Sequence, residues 1–150
     1  MIHTVIDSGC NEEIDAIVME RAAQETLRQQ SAPDADLTLV LTDDKAIRKL
    51  NRDFLGNNSP TDVLSFPASE TDPETGRRYL GDVVISLPRA RQQAEAVEHL
   101  VQAEVQLLII HGVLHLLGHD HAEAEEKARM WAAQTQILEQ LGLGNIQIKE

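Results

Sequence analysis

The sequence predicts an α+β domain, with about four strands in a mixed sheet packed against about five helices, one of them central and buried. Three observations carry this reading. Stretches with the two-residue period of strands and with the 3.6-residue period of helices follow one another without strict alternation. The run from about Val101 to Leu117 is apolar on nearly every side, as expected of a helix enclosed by other elements. The chain's 150 residues, 42% hydrophobic and 25% charged, fit one domain over residues 1–150 whose core needs no covalent staples.

In chain order, Ile2 to Ile6 reads as a first strand. Asn11 offers an N-cap, with Glu12 and Glu13 in the first turn, for a helix carrying Ile14, Ile17, Val18 and Ala22; Pro33 closes that region. Leu37, Leu39 and Leu41 alternate with polar or smaller neighbours, the pattern of a second strand. Thr42, Asp43 and Asp44 open a short helix with Ile47, Leu50 and Phe54 on one face, and Gly56 stops it. After the turn GNNSP, TDVLSFP is a strand that Pro67 ends, ASETDPETGRR a long loop, and LGDVVIS another strand. Pro88 stands near the start of the next helix. The central helix ends at Gly118, and Asp120 with Glu123 forms a capping box for a last helix that turns Ala128, Trp131, Thr135 and Leu138 inward and ends at Gly142.

The net charge of -12 argues at first sight against a polyanionic partner, but its distribution leaves two readings open, a basic face or merely solvated helix faces and a charged loop, and charge alone does not decide between them. Residues 45–91 hold eight of the thirteen basic groups and only six acids, which permits one basic face on an acidic body. The lone Cys10 cannot form an internal disulfide and reads as a small near-surface thiol; His99 reads as a helix-end imidazole. The first residues lack the basic start and apolar stretch of a signal peptide, and Val105 to Leu117 is too short and too polar to span a bilayer. A cytoplasmic protein without a membrane partner is expected.

Four of the six histidines fall in HGVLHLLGHDH, His111 to His121. On a helix His111 and His115 differ in direction by only about 40°, so both imidazoles reach one ion from the same face. Gly118 lets the chain leave the helix and turn back, bringing His121 to a third ligand position. Three nitrogens with a fourth position open to water describe a catalytic site of the zinc type. A single histidine on an apolar helix is ordinarily a satisfied core residue; three around a helix-ending glycine are not explained that way. Two readings of His119 stand, a group supporting the ligands or one facing substrate. Asp120 likewise reads as a helix cap or as the carboxylate that orients a ligand imidazole. Metzincin proteases share the spacing H-x-x-x-H-x-x-G-x-x-H, but here Gly112 occupies the position of their general-base Glu, which disfavours peptide hydrolysis by that route.

Taken with PTDVLSFP and LGDVVIS upstream, the motif H-G-x-L-H-L-L-G-x-D-H resembles the YbeY family of bacterial metal-dependent endoribonucleases, from about Leu50 to Leu141. The resemblance implies an α+β fold, one Zn²⁺ per chain at His111, His115 and His121, and single-stranded RNA as substrate. It also implies a role in 16S 3′-end maturation and ribosome quality control, with the ribosomal subunit or its proteins as partners and no DNA substrate. Two departures stand out. Many members carry Tyr where this chain has His119, and usually an Arg facing the cleft where this chain has Leu55. Arg52, one helical turn earlier, is the candidate to supply that guanidinium. The metal would act as a Lewis acid on a phosphoryl oxygen or activate a water. Arg52 and Arg89 would neutralise phosphate charge, and Asp82 has two readings, a general base or a carboxylate bonding loop backbone. Water and the RNA 2′-hydroxyl both remain open as nucleophile. The alternatives are a hydrolase of peptides or small esters on the same three-His scaffold, and a non-catalytic ribosome assembly factor whose metal locks the last two helices.

Overall fold

The computed structural model describes residues 1–7 and 14–144. Cys10, Asn11, Glu12 and Glu13 lie outside the described residues, so the thiol and the first expected cap are not assigned. The elements run β1 (Ile2–Ile6), α1 (Ala16–Gln29), β2 (Asp36–Thr42), α2 (Asp44–Leu55), β3 (Val63–Thr71), β4 (Arg78–Ser86), α3 (Leu87–Ala96), α4 (Val101–Leu116) and α5 (Ala124–Gln140). The strand order is β1-β2-β4-β3. β1, β2 and β4 are mutually parallel and β3 runs antiparallel to β4, which makes the expected mixed α+β sheet.

Strand alternation sends side chains to two unequal layers. Leu37, Leu39, Leu41, Val83 and Ile85 join the large core formed with α1 and α4, whereas Val84 and Leu64 meet only Ile47 of α2 as buried partners. α4 is the axis of the large layer: Val105, Ile109, Ile110, Val113 and Leu114 are fully enclosed. Such enclosure needs apolar residues all round the helix, as its sequence has. Its one buried acid, Glu104, is met by His99 at 2.7 Å just beyond the end of α3.

Several boundaries and faces differ from expectation. α1 starts at Ala16, with the Asp15 carboxylate accepting from the Ile17 N–H at 2.9 Å. Its buried face is Met19, Ala22, Ala23, Thr26 and Leu27, while Ile17 is 63% exposed. The spacing of three and four residues begins at Met19, and Ile17 lies off that stripe, whereas Ile14, just ahead of the helix, is 4% exposed and joins the same core.

β3 does not end at Pro67. It is an edge strand, so a residue without an N–H is tolerated there, and a register shift between Pro67 and Glu70 lets pairing resume to Thr71. The expected long loop is therefore strand at both its ends, where β3 runs on to Thr71 and β4 begins at Arg78, and what remains is a shorter turn in which Asp72 N–H donates to the Arg77 carbonyl at 2.9 Å. Opposite Pro67, Gly81 sits at φ +131°, and a Cβ there would lie 2.1 Å from the Phe66 carbonyl oxygen.

In α5 the inward residues are Met130, Gln134, Ile137 and Leu138; Ala128 and Thr135 face solvent and Trp131 is half-buried. An apolar count passes over Gln134 and so misplaces the stripe. The expected capping box is also absent, because α5 starts at Ala124 without a side-chain cap and Asp120 accepts instead from the His121 N–H at 2.7 Å. In α2, Phe54 is 69% exposed, not in the core, with its ring edge-on to the half-buried Phe66 at 5.7 Å. Among the described residues no single helix is long and apolar enough to cross a membrane.

Candidate metal centre

The last two turns of α4 present His111 and His115, and the way the helix stops presents His121. Gly118, at φ +99°, donates its N–H to the His115 carbonyl, and His119 donates its N–H to the Leu114 carbonyl, both at 3.0 Å. This pair of bonds closes the helix around a left-handed residue that glycine adopts without strain. The chain then folds back, and His111, His115 and His121 offer one ring nitrogen each, all within 4.8 Å of one another. The Nε2 atoms of His111 and His115 are 3.1 Å apart. Two nitrogens on a tetrahedral Zn²⁺ at 2.0–2.1 Å would be about 3.3 Å apart, so this pair is already at ligand spacing, and His121 on its exposed loop has only to close in.

The orientation of His111 is fixed from behind. Its Nδ1 donates to Oε1 of Gln134, 2.7 Å away on α5, which leaves Nε2 facing the other two rings. Gln134 is fully buried. Trp131, one turn earlier, sets its ring edge-on to both His111 and His121, with centroids 6.0 and 5.8 Å away. Burial lowers the basicity of His111, only partly offset by the Gln134 bond. Burial, followed by the neighbouring His111 and His121, lowers that of His115, while a hydrogen bond to the His119 backbone works against it. Both effects favour the neutral imidazole that a metal requires. The paired nitrogens, the anchored tautomer and the all-nitrogen donor set fit a divalent ion of the zinc type.

These three rings line a cavity of about 420 Å³ whose other wall is the start of β3, including Ser65, with Thr61 and Asp62 just ahead of it. Asp62 accepts from the Val63 N–H at 2.8 Å and from Nε2 of Gln93 at 3.1 Å, and its charge raises the basicity of His111. Ser65 Oγ donates to the Gly112 carbonyl at 2.9 Å, clipping β3 to α4 beside the rings. Gly112 itself faces the sheet: a Cβ there would stand 2.5 Å from Val83 Cγ1. The position that carries a catalytic Glu in metzincins is thus pressed against β4, where no side chain fits.

The other candidates lie elsewhere. Asp82 is bonded by the Tyr79 hydroxyl, which also meets Thr38 at 2.7 Å. It shares the sheet side of Val84, away from the three imidazoles, so it is not brought to the cavity as a base. Arg52 pairs with its neighbour Asp53 at 3.0 Å and lines a surface depression with Arg48 and Lys49. Arg89 pairs with Asp44 at 3.4 Å. His119 turns outward to Gln30 at 2.8 Å. Gln134 and Asp62 were passed over in the sequence; a polar residue on the inward stripe of α5 was the available signal for the first, and PTDVLSFP contains the second without marking its role.

The family profile described as Endoribonuclease YbeY matches residues 4–142. Proteins named Endoribonuclease YbeY from Geobacillus kaustophilus and Pelotomaculum thermopropionicum are 41% and 44% identical over 140 and 130 residues, covering 88% and 84% of this chain and 88% and 86% of theirs. One from Persephonella marina is 42% identical over 124 residues, 82% of this chain and 81% of its own. The solution structure of a Thermotoga maritima protein, 21% identical, superposes with a TM-score of 0.62 over 97% of this chain and 94% of that one, a likeness of fold.

Proposed function

The chain belongs to the YbeY family of endoribonucleases, and from that premise we propose that it is a metal-dependent endoribonuclease. Its substrate is single-stranded RNA and its setting is ribosomal RNA maturation, at the 16S 3′ end, and ribosome quality control in the cytoplasm. The observation that carries this reading is the convergence of His111, His115 and His121 on one side of an open cavity with Asp62 on the other wall. The three imidazoles hold one Zn²⁺ per chain, residues 1–150 acting as a single domain.

When bound, the ion supplies Lewis acidity for a phosphoryl oxygen. The protein's own groups do the rest. Gln134 keeps the His111 Nδ1 proton in place so that Nε2 stays available. Asp62, held by Val63 and Gln93, is the carboxylate positioned to take a proton within the cavity. Ser65 holds the β3 wall against α4 and so fixes the width of the cleft. The peptidase alternative is disfavoured, because Gly112 packs on Val83 and supplies no base.

The test is cleavage of an end-labelled single-stranded RNA and of its duplex by protein stripped of metal and then reloaded with zinc, manganese or magnesium. Restoration by zinc, with the single strand preferred, is expected. Cleavage that persists undiminished in the stripped protein would overturn the reading. Stripping should leave far-ultraviolet circular dichroism largely intact, whereas a merely structural metal would take the last two helices with it.

A further inference from the structure

Away from the imidazoles, the exposed side of α2 carries a run of cations. Lys45, Arg48, Lys49 and Arg52 recur at helical spacing, all are exposed, and all line a shallow depression of about 580 Å³. In a chain of net charge -12 such a stripe has abundant acids to pair with, yet it stays largely unpaired. Among the described residues Lys45, Arg48 and Lys49 make no ion pair, although Arg48 Nε donates to the Asn58 side chain at 3.0 Å. Of the nearby acids, Asp43 and Asp44 are engaged elsewhere and Asp53 is taken by Arg52 at the end of the stripe. Asp43 caps α2 by accepting from the Ala46 N–H, Asp44 accepts from Ser86 and pairs with Arg89, and Asp53 pairs with Arg52.

The stripe points along the helix to an apolar end. Phe54 and Leu55 are 69% and 58% exposed, although both are large hydrophobic side chains. From Gly56, which ends α2, the chain runs directly to Thr61 and Asp62 on the wall of the three-His cavity. Cations that hold phosphates beside a ring that stacks bases are the two components of single-strand binding without sequence readout. From Lys45 to Arg52 the helix rises about 10 Å, room for two or three successive phosphates.

We propose that the α2 stripe is a docking track for the phosphate backbone of the RNA substrate, separate from the metal centre. On it, Lys45, Arg48 and Lys49 hold phosphates and Phe54 with Leu55 receives bases on the way to the cavity. The proposal rests on the endoribonuclease reading above, and it answers how an acidic protein holds a polyanion: by one local stripe, not by its overall field.

The test uses the triple variant Lys45→Gln/Arg48→Gln/Lys49→Gln beside the parent and a charge-preserving variant Lys45→Arg/Arg48→Lys/Lys49→Arg. Binding of a fluorescent single-stranded RNA of about twenty nucleotides is measured across a salt series, and cleavage is resolved into kcat and KM. Loss of three phosphate contacts should flatten the log–log salt dependence by about two and weaken binding tenfold or more, through KM and not kcat. The charge-preserving variant should keep the parent's slope. An unchanged slope in the triple variant, with cleavage intact, would overturn the track and leave the nuclease reading standing. RNA binding with the predicted loss of slope but no cleavage in any protein would support the track while overturning the nuclease reading. Absence of RNA binding in the parent would overturn the track.

Discussion

The two faces of the sheet are built to different standards. Toward α1 and α4, Leu37, Leu39, Leu41, Val83 and Ile85 enter a large closed core, and His111 and His115 of the candidate metal site stand on α4 at its polar rim. Toward α2, the buried apolar cluster among the described residues is Ile47, Leu64 and Val84, with half-buried Val40, Leu50 and Phe66 against it, and the helix turns its cations and Phe54 to solvent. The difference teaches where precision is needed. Ligand nitrogens must be held to within a fraction of an ångström, and two of the three candidates, on His111 and His115, are rooted in the close-packed α4, while His121 stands on an exposed loop. A surface that follows a flexible polyanion needs charge and reach more than rigidity.

Matched truncations are the strongest way to break that comparison. Leu114→Ala, on the closed face, should cost about 4 kcal/mol, and Ile47→Ala, in the small cluster, about 2 kcal/mol. Urea denaturation of both variants measures it, and equal losses would mean that the two faces are packed alike. Gly112→Ala should cost about 1–3 kcal/mol, because its new methyl meets Val83 at 2.5 Å and Ser65 at 3.2 Å. A neutral result there would mean that β4 yields easily, contrary to a rigid frame behind the histidines.

Gln134→Ala sharpens the picture at the site itself. Removal of the acceptor for His111 Nδ1 should lower metal affinity about 10- to 100-fold, read by competition with a chromophoric chelator, and Gln134→Glu should restore it. Equal affinity in all three proteins would show that Gln134 only fills space. The smallest effect belongs to neither face. Arg77, followed by the N-terminal amine, holds the Asp36 carboxylate down at about 2. A depressed carboxylate stabilises the fold above its ordinary value near 4, and that contribution is lost as pH falls toward 2. Arg77→Ala should therefore melt slightly lower than the parent at pH 7, with the gap closing below about pH 4. A gap that persists at pH 2 would assign the effect to packing.

The strand and helix order and the three-His motif were legible because each is written in local spacing. The α2 cap at Asp43 and the stop at Gly56 were legible for the same reason. What escaped the sequence was set by neighbours distant along the chain. Pro67 reads as a terminator, yet an edge position opposite Gly81 lets β3 continue to Thr71. Phe54 reads as core on the helical period of α2, but the α2 layer is too thin to cover it. Gln134 reads as a flaw in an apolar stripe and is instead the partner of His111. Asp82 and the cavity come from adjacent strands, and only the side to which β4 turns its side chains separates them.

The most direct measurement is cleavage of a labelled single-stranded RNA by the parent and by His115→Ala, prepared identically, with metal content and circular dichroism recorded for both. The account predicts that the parent cleaves and holds one ion per chain, while the variant keeps its fold but loses the ion and at least about 100-fold in cleavage rate. Equal cleavage by two folded proteins would contradict it.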